Sequence, residues 1–189
     1  VANTITTNTL GGISLTNSSA SLSGNTITGN LAYGISLNSS NGNTLSGNTV
    51  SGNLSDGLVI DGTDNTLTDN SVTNNSGLGI SLTDGTGNQL TNNTVGINAL
   101  GGIVLTSDSS NVTANTVTGN SAFGISLNSS NGNTLSGNII SDNSSDGFVI
   151  DGNDNILTNN SVTNNAGLAI SLTAGTGNQL MNNTVGTNT

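Results

Sequence analysis

The chain lacks most of the residue types that carry charge and chemistry. Its 189 residues include no Lys, Arg, His, Cys, Pro or Trp, and its ten acidic residues, all Asp, give a formal net charge of −10. Because phosphates are bound through cations, the composition excludes nucleic acid as a partner. No disulfide can form. No apolar run approaches the roughly 20 residues of a membrane-spanning helix, so we expect no membrane insertion.

The feature that is present throughout is a short repeat. An apolar pair, with one residue between its members and usually preceded by Gly, recurs every 22 or 23 residues. The pairs are Ile13/Leu15, Ile35/Leu37, Leu58/Ile60, Ile80/Leu82, Ile103/Leu105, Ile125/Leu127, Phe148/Ile150 and Ile170/Leu172. A fixed period of this size indicates a solenoid, in which each repeat buries its apolar face against its neighbours.

Each repeat contains three short segments in which apolar and polar residues alternate, separated by Gly and Asn. This pattern is typical of strands joined by tight turns. The sequence therefore predicts an all-β chain: a single parallel β-helix of about eight coils, with three short strands in each coil and neighbouring coils about 4.8 Å apart.

A longer period overlies the short one. Residues 1–99 align with residues 91–189 at an offset of 90 without gaps, and the run GISLNSSNGNTLSGN occurs at 34–48 and again at 124–138. We therefore expect one domain over residues 1–189, built from a tandem four-coil block at approximately 1–90 and 91–180.

Asparagine recurs at fixed places in every coil. We expect these residues to turn the chain through the left-handed conformation and to stack as hydrogen-bonded ladders. The first unbroken series is Asn3, Asn25, Asn48, Asn70, Asn93, Asn115, Asn138, Asn160 and Asn183. The second is Asn8, Asn30, Asn53, Asn75, Asn98, Asn120, Asn143, Asn165 and Asn188. A third, incomplete series is Asn43, Asn65, Asn88, Asn133, Asn155 and Asn178.

Runs such as NTLSGNTVSGN at 43–53, together with GISL at 34–37, resemble the right-handed parallel β-helix repeats of NosD-like and pectate-lyase-like proteins. The resemblance covers the whole chain. It implies a right-handed helix and a superfamily whose members often bind or cleave polysaccharides, although others are fibres, adhesins or surface-layer components. Copper binding of the NosD kind is not expected, because the chain has no His or Cys and only one Met, Met181.

Six of the ten Asp residues follow the first strand of a coil: Asp61, Asp64, Asp84, Asp108, Asp151 and Asp154. Asp61, Asp64 and Asp84 form the best local set for a weak Ca²⁺ site, since Ca²⁺ takes six to eight oxygen ligands. Asp61 and Asp84 could also form a glycosidase pair. Asp also suits turns, and neither an aromatic platform nor a cation accompanies these residues. We expect no catalytic residue and no cofactor apart from weak calcium.

Neither end of the chain shows a cap in its sequence, so we expect strand edges that favour head-to-tail self-association. The first hypothesis is a structural, extracellular or cell-surface β-solenoid that stacks into a filament or forms a rod, and not an enzyme. One alternative is a module that binds or processes a neutral glycan, with Tyr33 or Phe123 as a stacking platform. Another is ice binding through the outward Thr and Ser of the third strand, such as Thr26 and Thr28.

Overall fold

In the computed structural model of the chain, which describes residues 2–189, every regular element is a β-strand. The strands form three parallel sheets of nine, eight and eight strands, here called sheets A, B and C. The chain visits the sheets in the order A, B, C and then begins the next coil. Within residues 2–189 we find no helix with the length and apolar character needed to cross a membrane.

The strands are short and evenly distributed. Sheet A contains β1 (Thr4–Thr6), β4 (Thr26–Thr28), β7 (Thr49–Ser51), β10 (Ser71–Thr73), β13 (Thr94–Gly96), β16 (Thr116–Thr118), β19 (Ile139–Ser141), β22 (Ser161–Thr163) and β25 (Thr184–Val185). Sheet B contains β2 (Ile13–Thr16), β5 (Ile35–Asn38), β8 (Leu58–Asp61), β11 (Leu78–Thr83), β14 (Gly101–Thr106), β17 (Ile125–Asn128), β20 (Phe148–Asp151) and β23 (Ile170–Ala174). Sheet C contains β3 (Ser21–Ser23), β6 (Thr44–Ser46), β9 (Thr66–Thr68), β12 (Thr86–Thr91), β15 (Ser109–Thr113), β18 (Thr134–Ser136), β21 (Ile156–Thr158) and β24 (Gln179–Met181).

Each strand pairs with its equivalent in the next coil. Val50 lies beside Ile27 in sheet A, Leu58 beside Ile35 in sheet B, and Leu67 beside Leu45 in sheet C. The pairing therefore follows the period of 22 or 23 residues, and the predicted parallel β-helix with three strands per coil is confirmed.

The core is a column of aliphatic side chains along the axis. A typical coil contributes one residue from sheet A, two from sheet B and one from sheet C, such as Ile27, Ile35, Leu37 and Leu45, all fully buried. Each burial contributes about 1.5–3 kcal/mol. The polar residues that alternate with them face outward, because successive side chains of a strand point to opposite faces.

The glycine before seven of the eight apolar pairs allows a close approach between coils. A Cβ built on Gly34 would lie 2.2 Å from the Val50 side chain and 2.7 Å from the carbonyl oxygen of Gly57. A larger residue would therefore push the corner of sheets A and B away from the next coil.

Asparagine ladders join the coils at two corners, where the first and second series run unbroken. The Asn93 side-chain oxygen accepts from the backbone N–H and the amide of Asn70, at 3.0 and 2.9 Å. The Asn93 amide donates to the Leu67 carbonyl and to the side-chain oxygen of Asn115, both at 2.9 Å. Among residues 2–189, no buried side-chain nitrogen or oxygen lacks a hydrogen-bond partner.

The prediction that the ladder asparagines adopt the left-handed conformation is wrong. From Asn8 to Asn183 the residue before each of them does so instead: Gly47 precedes Asn48 with φ +60°, and Ile97 precedes Asn98 with φ +57°. The ladder asparagines have no positive φ, because their side chains must point into the stack while the preceding residue makes the turn. This division of roles explains the frequent Gly-Asn pairs.

Replacing one ladder residue should be costly. We expect Asn93→Ala to lower the free energy of unfolding by about 3–5 kcal/mol, since it removes the acceptor of the Asn70 backbone N–H and amide and the donor to the Leu67 carbonyl. Urea unfolding measures the loss. The control is Asn111→Ala at an exposed position of β15, expected to change stability by less than about 0.5 kcal/mol. Equal losses in the two variants would contradict the ladder's energetic role.

The left-handed Ile97 is a strained position that can be relieved. Its side chain is 62% exposed, so Ile97→Gly loses little burial and should raise the free energy of unfolding by about 1 kcal/mol. Ile139→Gly, at an exposed site within β19, is the matched control and should be destabilising. Thermal unfolding of both variants tests this. A stability of Ile97→Gly below that of the unmodified chain would contradict the presence of strain at Ile97.

Candidate functional site

A concave surface lies at the corner between sheets B and C. We call this the B–C corner; it consists of the segments that connect each sheet B strand to the following sheet C strand. It carries two open grooves. Groove 1 has a volume of about 300 Å³ and is lined by Asn17, Ser18, Ser19, Ser39 and Asn41. Groove 2 has a volume of about 400 Å³ and is lined by Thr86, Ser107, Asp108, Ser109, Ser129 and Asn131.

Local hydrogen bonds hold the groove walls in place. In groove 1 the Asn41 side chain accepts from the backbone N–H of Thr63 at 2.7 Å. In groove 2 the Asn131 side chain accepts from the backbone N–H of Asn153, also at 2.7 Å. The walls are thus tied to the next coil, while the groove linings present hydroxyl and amide groups to solvent.

Both grooves lie beside a gap in the third Asn series. Ala20 and Ser110 occupy the places where that ladder would have Asn, and each gives only its backbone N–H to the next member, Asn43 or Asn133, at 2.8 Å. The grooves therefore occur where the asparagine repeat is interrupted.

Asp108 replaces the missing amide in groove 2. Its carboxylate accepts from the Ser110 hydroxyl, from the Asn88 amide at 3.5 Å and from the Gly85 backbone. Only 2% of the residue is exposed. Burial raises the pKa of this carboxyl from 3.8 to about 6; the hydrogen bonds oppose the rise and the charge of Asp84 adds to it.

The sequence placed Asp108 among six turn residues but did not distinguish it. The signal that could have done so is the break in the third Asn series at position 110, together with an acidic residue two positions earlier. A carboxylate that substitutes for an amide in a buried ladder must be desolvated, and that desolvation is what shifts its pKa.

The predicted calcium residues do not converge. The Asp61 carboxylate turns toward the preceding coil and accepts from the Ser39 backbone N–H at 3.1 Å. The Asp64 carboxylate turns the other way, since a Cβ built on Gly87 would lie 2.3 Å from its oxygen. Asp84 is exposed. In the described part of the chain no group of three acidic side chains is placed to hold a metal ion, so weak calcium binding stays a prediction.

The aromatic candidates Tyr33 and Phe123 pack against glycines of the preceding coil. A Cβ built on Gly11 would lie 2.0 Å from the Tyr33 ring, and one on Gly101 would lie 2.7 Å from the Phe123 ring. Both rings are half-buried at the corner of sheets A and B, away from the grooves. They do not contribute a stacking platform to the B–C corner.

The raised pKa of Asp108 makes stability depend on pH. Between pH 3.8 and about 6 the folded state binds the proton that the unfolded state has lost, so stability falls as pH rises through this window. From pH 4 to pH 7 we expect the unmodified chain to lose up to about 3 kcal/mol relative to Asp108→Asn. Urea unfolding at both pH values measures this. Asn111→Ala, which removes no ionisable group, should show the same pH dependence as the unmodified chain. A difference between the unmodified chain and Asp108→Asn that does not change with pH would contradict the shift.

Two family models match the chain. The model described as "Right handed beta helix region" matches residues 1–117, and the model described as "Periplasmic copper-binding protein (NosD)" matches residues 93–189. No curated protein matches by sequence.

Several solved structures share the fold. The periplasmic alginate epimerase AlgG has a TM-score of 0.85 at 20% identity, over 93% of this chain and 47% of AlgG. The A-module of the Azotobacter vinelandii mannuronan C-5 epimerase AlgE6 has a TM-score of 0.79 at 16% identity, over 95% and 56% of the two chains. Pectate lyase Pel9A has a TM-score of 0.68 at 18% identity, over 76% and 43%. The chain thus spans about half the length of these proteins.

The donor set does not fit the copper that the second family model names. The chain has no His and no Cys, and its single Met, Met181, is on β24 without a second soft ligand anywhere in the sequence. The matches establish the architecture. The sheet pairing, the axial core and the Asn ladders of the chain all agree with it. The chain belongs to the right-handed parallel β-helix family.

Proposed function

We propose that the chain is a carbohydrate-binding β-helix that holds a neutral polysaccharide at the B–C corner. The observation that carries the proposal is the lining of the two grooves, which consists of Ser, Thr and Asn side chains with one buried Asp. Hydroxyl and amide groups both donate and accept hydrogen bonds, as sugar hydroxyls do. The groove volumes reach the lower range of small-molecule sites.

Charge restricts the ligand to a neutral glycan. The chain has no Lys, Arg or His, and its net charge is −10. A uronate polymer would therefore meet repulsion and no neutralising group. The similar structures are named for alginate, mannuronan and pectate, and we do not transfer those substrates to this chain.

Binding is proposed here without catalysis. Hydrolysis of a glycosidic bond needs two carboxyl groups on opposite sides of that bond. In groove 2 the carboxylate of Asp108 is engaged by Ser110, Asn88 and Gly85 in the wall, while Asp84 is exposed on the neighbouring coil. Because the similar structures are epimerases and lyases, polysaccharide processing is the alternative, and release of reducing ends from the bound glycan would establish it.

The other hypotheses from the sequence stay predictions. The similarity to polysaccharide-processing proteins favours the carbohydrate hypothesis over a structural filament with head-to-tail self-association. Ice binding has one supporting feature, the in-register hydroxyl columns of sheet A, in which Thr26 lies between Thr4 and Thr49. The descriptions of NosD and AlgG both contain the word "periplasmic", which supports export of this chain. We propose an extracellular or cell-surface location.

Affinity electrophoresis in gels that contain one polysaccharide each tests the proposed function. We expect retardation by a neutral glycan, from a panel of β-1,4-glucan, β-1,4-mannan and β-1,3-glucan, and none by alginate or polygalacturonate. The double variant Ser19→Leu with Ser109→Leu fills both grooves and should abolish retardation.

The matched control is the double variant Ser55→Leu with Ser145→Leu. These two serines are also 90 residues apart and exposed, but they lie at the corner of sheets A and B. The control should migrate like the unmodified chain. Retardation that is equal in the groove variant and the control, or that is restricted to the anionic polymers, would refute the proposal.

A further inference from the structure

The two grooves are the same place in the two halves of the repeat. At the offset of 90 residues, Ser19 corresponds to Ser109, Ser39 to Ser129 and Asn41 to Asn131. Each pair contributes one member to groove 1 and one to groove 2. Three lining positions therefore recur in the two grooves, while Ser107 and Asp108 of groove 2 stand where groove 1 has Asn17 and Ser18.

The grooves are aligned with the axis of the rod. The sheet B strands that lead into them, from β2 through β5, β8, β11 and β14 to β17, pair in sequence without a bulge. Four coil-to-coil steps separate equivalent positions. At about 4.8 Å per step, the two grooves lie about 19 Å apart on the same corner.

Glycine occupies the corner between the grooves. Gly62 and Gly85 occupy the corner in the two intervening coils and are buried beneath its surface. A Cβ on Gly62 would lie 2.3 Å from the Ser40 carbonyl oxygen, and one on Gly85 would lie 2.4 Å from that of Gly62. The exposed residues there include Asp64 and Asp84, whose carboxylates can accept from sugar hydroxyls and repel an anionic polymer.

We propose that one linear neutral glycan lies along the B–C corner, parallel to the rod axis, and occupies both grooves at once. The inference rests on the proposed function and specifies its ligand: a polymer long enough to span about 19 Å, as opposed to a short sugar or a branch end. Occupation of the first groove makes the second binding event intramolecular, so two weak sites give tight binding to a long chain.

Isothermal titration with size-fractionated β-1,4-glucan, β-1,4-mannan and β-1,3-glucan oligosaccharides tests the inference. Oligosaccharides too short to bridge the grooves should bind weakly, two per protein chain. Those that span about 19 Å should bind one per protein chain, with an affinity about 10²-fold higher.

Single-groove variants separate the two sites. Ser19→Leu and Ser109→Leu should each reduce the stoichiometry for short oligosaccharides to one. Each should also remove the gain in affinity for long ones, so that long and short oligosaccharides bind alike. Ser55→Leu, outside the grooves, should retain both the stoichiometry and the gain.

The outcomes distinguish the inference from the proposed function. Binding of short and long oligosaccharides with the same affinity and with two per chain would overturn the inference and leave the proposed function standing. The same holds if Ser19→Leu keeps the full affinity for long oligosaccharides. Absence of binding at every length, with the unmodified fold verified by circular dichroism, would overturn both.

Discussion

The hydrogen bonds between asparagine side chains of successive coils are the interaction on which the rest of the structure depends. In the unbroken ladders each asparagine donates its backbone N–H and its amide to the side-chain oxygen of the asparagine at the same corner of the next coil, one strand spacing away. This requirement fixes the length of the coil at 22 or 23 residues, because a longer or shorter repeat would move the amide out of the stack. The aliphatic column then follows, since the strands between fixed corners can point only alternate side chains inward.

Departures from the asparagine repeat occur at the corner that the two unbroken ladders do not occupy. Two corners carry unbroken amide stacks, and the third, where Ala20 and Ser110 interrupt the stack, carries the grooves. At one interruption Asp108 accepts from the Asn88 amide and the Ser110 hydroxyl, at the cost of a desolvated carboxyl group. Each coil thus has the structural ladders at two corners, and the candidate binding surface lies at the third.

The period, the strands and the ladder residues could be predicted from the sequence because each is a pattern of side-chain types at fixed spacing. The left-handed conformation of Ile97 could not be predicted, because the turn is made by the residue before the ladder Asn and the spacing of residue types does not indicate φ. The grooves could not be predicted either, since Ser19 and Ser39 resemble many other serines until the coils are stacked. The convergence expected of Asp61 and Asp64 fails because adjacent side chains of a coil can turn toward opposite neighbours.

The ladders consist of neutral amides, which neither titrate nor pair with ions. With no cation in the chain, every long-range electrostatic force between its ten carboxylates is repulsive, and no attractive ion pair exists for salt to weaken. Added salt can only relieve repulsion, within the rod and between neighbouring rods. We therefore expect added salt not to destabilise this fold in the way that it weakens proteins held together by surface ion pairs.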